Sequence, residues 1–130
     1  MKQGRFHHVI LVLVMLFTLT LASPGVIALR ISDVQGFGET SPYLGQTVTV
    51  SGICFAAQNG CEDAFIADAA GPLNGIRMYK QAPGWTDISI GDELMVTAQV
   101  VETYGSTELR NCNVTVLSSG NTPYPPTILS

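Results

Sequence analysis

The chain has 130 residues, and 6 basic against 10 acidic side chains give a net charge of −4. Lys2 and Arg5 precede an apolar run from Val9 to Ala22. Pro24-Gly25 breaks the run, and Val26-Ile27-Ala28 then offers small residues at the spacing of signal cleavage. Both histidines, His7 and His8, fall in this leader, so a domain without it excludes Ser-His-Asp and Cys-His nucleophile systems, histidine metal sites and a histidine general base.

Residues 1–28 read as a secretory signal peptide cleaved after Ala28, which predicts a secreted protein. The alternative is an uncleaved anchor, with the membrane touched only through the leader. The apolar run is shorter than the roughly 20 residues of a spanning helix, although the residues up to Ala28 lengthen it enough. No cysteine stands at the end of the run, which disfavours a lipid anchor. Cleavage leaves Arg30, Arg77, Lys80 and Arg110 against all ten acids, a net charge of −6. About 100 residues remain, enough for one small domain.

Leu29 to Gly36 reads as a short entry segment, and Gly36-Phe37-Gly38 with Ser41-Pro42 as an irregular loop. From Gln46 to Phe55 the pattern has period two. Val48, Val50 and Cys54 fall on one face with Gly52 between them, and Thr47, Thr49, Ser51, Ile53 and Phe55 fall on the other. Gly52 inside the strand marks a bend or a close backbone approach. Ala64–Asp68 and Ile76–Tyr79 are short strands joined by the turn-rich segment 69–75, and Lys80 to Ser89, with Pro83-Gly84 and Trp85, shows no helical periodicity. The Gly-x-x-Val-x-Val phrase of Gly45–Gly52 returns as Gly-x-x-Leu-x-Val from Gly91, which predicts a strand over Glu93–Glu102. A last strand spans Glu108–Leu117, with Cys112, Val114 and Val116 in one phase. Five strands at this spacing predict an all-β fold, a small five-stranded OB-type Greek-key barrel over residues 29–119, with Val48, Val50, Leu94, Val96, Val114 and Val116 inside. Residues 120–130 turn abruptly to proline and polar types and read as a linker or tail.

The segment Ile31 to Gly52, with Ala64-Phe-Ile-Ala-Asp68, Gly75-Ile-Arg-Met-Tyr79, Ile90-Gly-Asp92 and Glu102-Thr-Tyr-Gly-Ser-Thr-Glu-Leu109, resembles a known module. It is the OB-fold-like accessory domain that precedes the endonuclease/exonuclease/phosphatase-type catalytic domain of secreted bacterial nucleases. The likeness runs from Leu29 to Tyr124. It implies nucleic acid as the ligand class and an accessory role beside a nuclease. Since no catalytic domain follows in the sequence, the expectation is either a free-standing module or a piece of something larger.

On the strand Ile76–Tyr79, Arg77 and Tyr79 alternate with the apolar Ile76 and Met78, so one face carries a cation and an aromatic ring. Bases or sugars stack on such a ring while a guanidinium meets phosphate, and strands two and three are the usual OB platform. Lys80, Trp85, Tyr104 and Arg110 extend the candidate ligand site from neighbouring loops and strand ends. The competing reading is that Tyr79 and Trp85 merely cover the end of the barrel. Four cations against ten acids predict weak binding, to single strands if to any nucleic acid. The implied partners are single-stranded nucleic acid and a nuclease catalytic domain or other extracellular protein.

The carboxylates Glu62, Asp63, Asp68, Asp92 and Glu93 lack EF-hand or repeat spacing, so no metal, cofactor or catalytic residue is assigned. Export favours oxidation of Cys54, Cys61 and Cys112. With the first hairpin centred near Ala57-Gln58, Cys54 and Cys61 oppose each other and are the expected disulfide; a pair involving Cys112, or no bridge, are the alternatives. Asn113-Val-Thr115 fits a glycosylation acceptor pattern, and the phase of Asn113 points it outward. The sequence thus predicts an exported, non-enzymatic OB-like binding or accessory module, with a structural or protein-interaction spacer at the cell surface as the alternative.

Overall fold

A computed structural model describes residues 28–125. All of the leader but Ala28, and the last five residues of the tail, lie outside the described residues. The chain is mostly β, with α1 (Ile31–Gln35) followed by β1 (Thr47–Ala57), β2 (Asp63–Ala67), β3 (Gly75–Tyr79), β4 (Glu93–Thr103) and β5 (Ser106–Ser118). The strands form one mixed sheet in the order β1-β2-β3-β5-β4, and β4 pairs back onto β1, so the ring of pairings closes. Every pair is antiparallel except β3 with β5.

The strands sit where the two-residue periodicity puts them. β1 alternates buried Val48, Val50, Gly52 and Cys54 with more exposed neighbours. Its first part pairs with β4 as far as Ile53, and its second part pairs with β2 from the same residue. One strand therefore serves two neighbours by turning at Gly52. A Cβ at Gly52 would lie 2.9 Å from the Ala67 carbonyl oxygen, so the bend brings two backbones too close for any side chain.

The core holds Val48, Val50, Ile66, Ile76, Met78, Leu94, Val96, Val100 and Leu109. Two of the expected interior valines depart from this. Val114 is only half-buried against the core, and Val116 is 44% exposed. β3 runs beside β5 only to Met78↔Leu109, whereas β5 continues with β4 as its sole partner, so the later residues pass beyond the closed part of the sheet.

The entry segment contains a helix that the sequence pattern does not reveal. Five residues give a single turn, too few for a period, and Ile31 and Val34 at i and i+3 are its buried face. Tertiary bonds hold it, with the Ile31 amide donating to Asp68 Oδ2 at 2.8 Å and the Gln35 amide donating to the Gly75 carbonyl at 2.7 Å.

The cysteine pairing is corrected by the hairpin register. Ala57 faces Ala64 and Cys54 faces Ile66, which centres the β1–β2 hairpin at Gly60-Cys61, three residues later than expected. Cys54 is consequently buried in the core, while Cys61 is exposed in the turn, bridged through its backbone to Trp85. All three cysteines are free.

Candidate functional site

The outward side of β3 and β5 carries three of the six candidate residues, Arg77, Tyr79 and Arg110. Parallel pairing sets Arg77 directly beside Glu108, and antiparallel pairing sets it opposite Phe65. Arg77 is an ion-paired residue. Its Nε donates to Asp63 Oδ1 at 2.7 Å, and its Nη1 lies 3.1 Å from Glu108 Oε2. The hydrogen bond to Asp63 is the largest cause that raises the Arg77 pKa above its ordinary value.

Glu108 is the residue that organises this face, and sequence reasoning missed it. Although it points outward, its side chain is fully covered by the arginines on either side. Oε1 accepts from Thr103 Oγ1 at 2.7 Å and from Arg110 Nε at 2.6 Å. Burial pushes its pKa up, but the Thr103 hydroxyl, Arg110 and Arg77 together outweigh burial and hold it below the usual carboxylate value. The oriented Arg110 places its guanidinium carbon 4.5 Å from the centre of the Tyr79 ring, a cation–π stack. The alternation of Thr107, Glu108 and Leu109 identifies Glu108 as outward, but only the parallel register shows it between two arginines.

Beside this stack opens a polar cleft of about 480 Å³, lined by Tyr79, Lys80, Trp85, Arg110, Asn111 and Asn113 among others. Four of the six predicted ligand residues meet there. Arg77 does not line it and faces Asp63 and Phe65 instead. Tyr104 is also elsewhere, fully exposed at the β4–β5 turn with φ +51°. Trp85 contributes little ring surface, being 3% exposed, with its indole N–H directed at the Met78 carbonyl at 3.4 Å. Its backbone accepts from Gly60 and donates to Cys61, and its buried ring packs against the core. Lys80 Nζ lies 5.2 Å from the Trp85 ring centre and 3.8 Å from Asp87 Oδ1.

The arrangement is suited to holding a polar or anionic group by guanidinium, ammonium and side-chain amides. It has no activated thiol, because burial, the largest cause, pushes Cys112 up to about 12. Among the described residues, no group of three or more His, Cys, Asp or Glu side chains is placed to hold a metal.

Two further aromatics lie on the outer face and were not singled out from the sequence. The Phe55 and Phe65 ring centres are 5.9 Å apart, and Phe55 lies over Gly75, where a Cβ would meet its Cε1 at 3.5 Å. Phe55, Phe65 and Arg77 thus form a row across β1, β2 and β3. The alternation of each strand already turned both rings outward, and that was the available signal. Phe55 also borders an apolar cavity of about 550 Å³ with Ala67, Gly75, Pro123 and Tyr124. The tail reaches it because the Asn121 amide is fixed to the Gly91 carbonyl at 2.9 Å.

No protein-family model matches the chain, and no curated protein matches it.

Proposed function

We propose that this chain is an exported OB-type binding module, non-enzymatic by itself, that takes single-stranded nucleic acid weakly or positions it for an extracellular nuclease. The order β1-β2-β3-β5-β4, with its one parallel pair at β3–β5, supports the OB reading, as does the resemblance of Leu29–Tyr124 to nuclease accessory modules. The leader reading supports export, with a membrane anchor as the alternative fate. The observation that carries the ligand reading is the Arg110–Tyr79 stack at the mouth of a cleft that also holds Lys80. A base adding to the outer side of such a stack, with its phosphate near Lys80 and Arg110, is a known mode of sequence-tolerant recognition.

The test titrates the protein with single-stranded and duplex oligonucleotides and with polysaccharides, at low and moderate salt. Binding is expected to single strands, weakly, and to fade as salt rises, since a net charge of −6 after removal of residues 1–28 opposes the few local cations. Changing Tyr79 and Arg110 together to Ala should abolish it while the protein stays folded. Equal affinity in the double variant would reject this cleft, and metal-dependent cleavage by the purified protein would reject the non-enzyme reading.

The second reading, a structural or protein-interaction spacer at the cell surface, is favoured by the saturation of the cations. Arg77 is held by Asp63 and Glu108, Arg110 by Glu108, and Lys80 lies near Asp87. In that case the titration finds no ligand among nucleic acids or polysaccharides.

A further inference from the structure

Among the described residues, the second half of β5 has a backbone edge that no other strand pairs with. From Asn111 to Ser118 the strand pairs with β4 alone, its pairing with β3 having ended at Leu109. Among the described residues, no backbone hydrogen bond from another segment reaches that edge. The loop carrying Lys80 to Asp87 faces only Asn111 to Val114, across the polar cleft. Beyond it Thr115, Val116, Leu117 and Ser118 are exposed, with Val116 and Leu117 at 44% and 46%.

Long exposed edges are ordinarily blunted by charge, proline or brevity, because unpaired N–H and C=O groups recruit another strand. This one has neither charge nor proline, and its regular stretch, Asn113 to Val116, lies between irregularities at Asn111-Cys112 and at Leu117. Asn113-Val-Thr-Val-Leu117 alternates β-branched and polar residues in a pattern that favours strand pairing.

We infer that a second copy of this chain adds antiparallel to the free edge of β5, centred on Thr115, so that two sheets become continuous. A symmetry argument and two observations select a copy of the chain itself over an unrelated segment. An antiparallel pair of identical strands is self-complementary about a twofold axis, so each unpaired group finds its counterpart on the same strand of the partner. Centring on Thr115 sets Val114 opposite Val116 of the other copy, twice, and covers the valine that the closed part of the sheet leaves exposed. All ten acids precede Asn111, and no charged residue occurs from Asn111 to Ser130, so two acidic chains approach here without placing like charges against each other. This contact shares Asn113 and Val114 with the wall of the cleft proposed for nucleic acid, so a ligand that fills the cleft as far as those residues competes with the second copy.

Sedimentation of the chain recovered after export, with a thiol reductant present so that Cys61 cannot cross-link copies, measures the association. Wild type should pass from one to two chains as concentration rises. Thr115→Lys and Thr115→Glu each set two like charges opposite one another, and each should weaken dimerisation at least roughly tenfold. Mixing the two variants should restore a dimer containing one of each. A wild type that stays monomeric at every concentration, a Thr115→Lys dimer as tight as wild type, or a mixture that fails to pair would each overturn the inference. If either variant fails to fold, amide exchange on wild type decides. Amides between Asn113 and Ser118 should slow as concentration rises, and concentration-independent exchange there would overturn it equally.

Discussion

Replacing Glu108 by Gln should destabilise the protein more at neutral pH than in acid. The carboxylate is fully buried, takes two hydrogen bonds at 2.6 and 2.7 Å, and lies 3.1 Å from a second guanidinium. Removing one partner of a buried ion pair costs about 3–5 kcal/mol when the remaining charge is stranded. Here the stranding is partial. Arg77 keeps Asp63 at 2.7 Å, and the arginine side chains are 29% and 38% exposed, so both can turn toward water. A loss of about 1–3 kcal/mol follows, or roughly 5–20 °C in Tm for a domain of this size. The pKa of Glu108 is lowered in the folded state, so its contribution is complete above the unfolded value of about 4.3 and disappears as pH falls through the lower folded value. Thermal unfolding of wild type and Glu108→Gln at pH 7 and at about pH 3 measures the effect. The gap should be smaller at the second pH than at the first. Equal Tm values at pH 7, or a gap that persists undiminished in acid, would refute the role given to the buried carboxylate.

Gly52→Ala should cost about 1–3 kcal/mol although its φ is unstrained, because the new methyl meets the backbone of Ala67 and that strand has no room to retreat. Chemical denaturation measures the loss, and a midpoint within error of wild type would show that β1 does not need its close approach to β2. An alkylating reagent applied to the folded protein should modify Cys61 alone, with Cys54 and Cys112 reacting only after denaturation. Burial is the largest cause raising both of those thiols, Cys112 to about 12. Modification of Cys112 alone in the native protein would instead indicate a Cys54–Cys61 bridge and return the hairpin to the earlier register.

The five strands were legible because each carries its own two-residue alternation, and because glycine at 45 and 91 introduces β1 and β4, antiparallel partners of 11 residues each. What could not be read was anything that depends on how far two strands overlap. The centre of the first hairpin moved three residues because Gly60 and Cys61 turn back against Trp85, a contact 24 residues away that no local pattern encodes. Val116 shares the phase of Val114 and looks equally interior, yet its exposure is decided by where β3 ends, and β3 is only five residues long. The α1 turn is similar in kind, since Asp68 and Gly75 hold it from outside. At the candidate site, residue type and parity found Tyr79, Lys80, Trp85 and Arg110 but could not assign their states. Trp85 is consumed in packing against the core, and Arg77 in neutralising two acids.

The register that closes the sheet is the same register that builds the site, and this constrains what mutation can separate. Arg77↔Glu108 is one of only two paired positions between β3 and β5. With so short a parallel ladder, the side chains crossing it carry a larger share of the closure than they would in a long antiparallel pair, where the backbone alone suffices. Glu108 therefore bridges β3 and β5 while it aims Arg110 at Tyr79. Substitutions at Glu108 should perturb stability and ligand affinity together, whereas substitutions at Tyr79 and Lys80 lie on the cleft side of the bridge and should alter affinity first. A variant series in which the Glu108 substitution lowered stability but left oligonucleotide affinity untouched would separate the bridge from the stack, and Arg110 would then owe its position to Tyr79 alone.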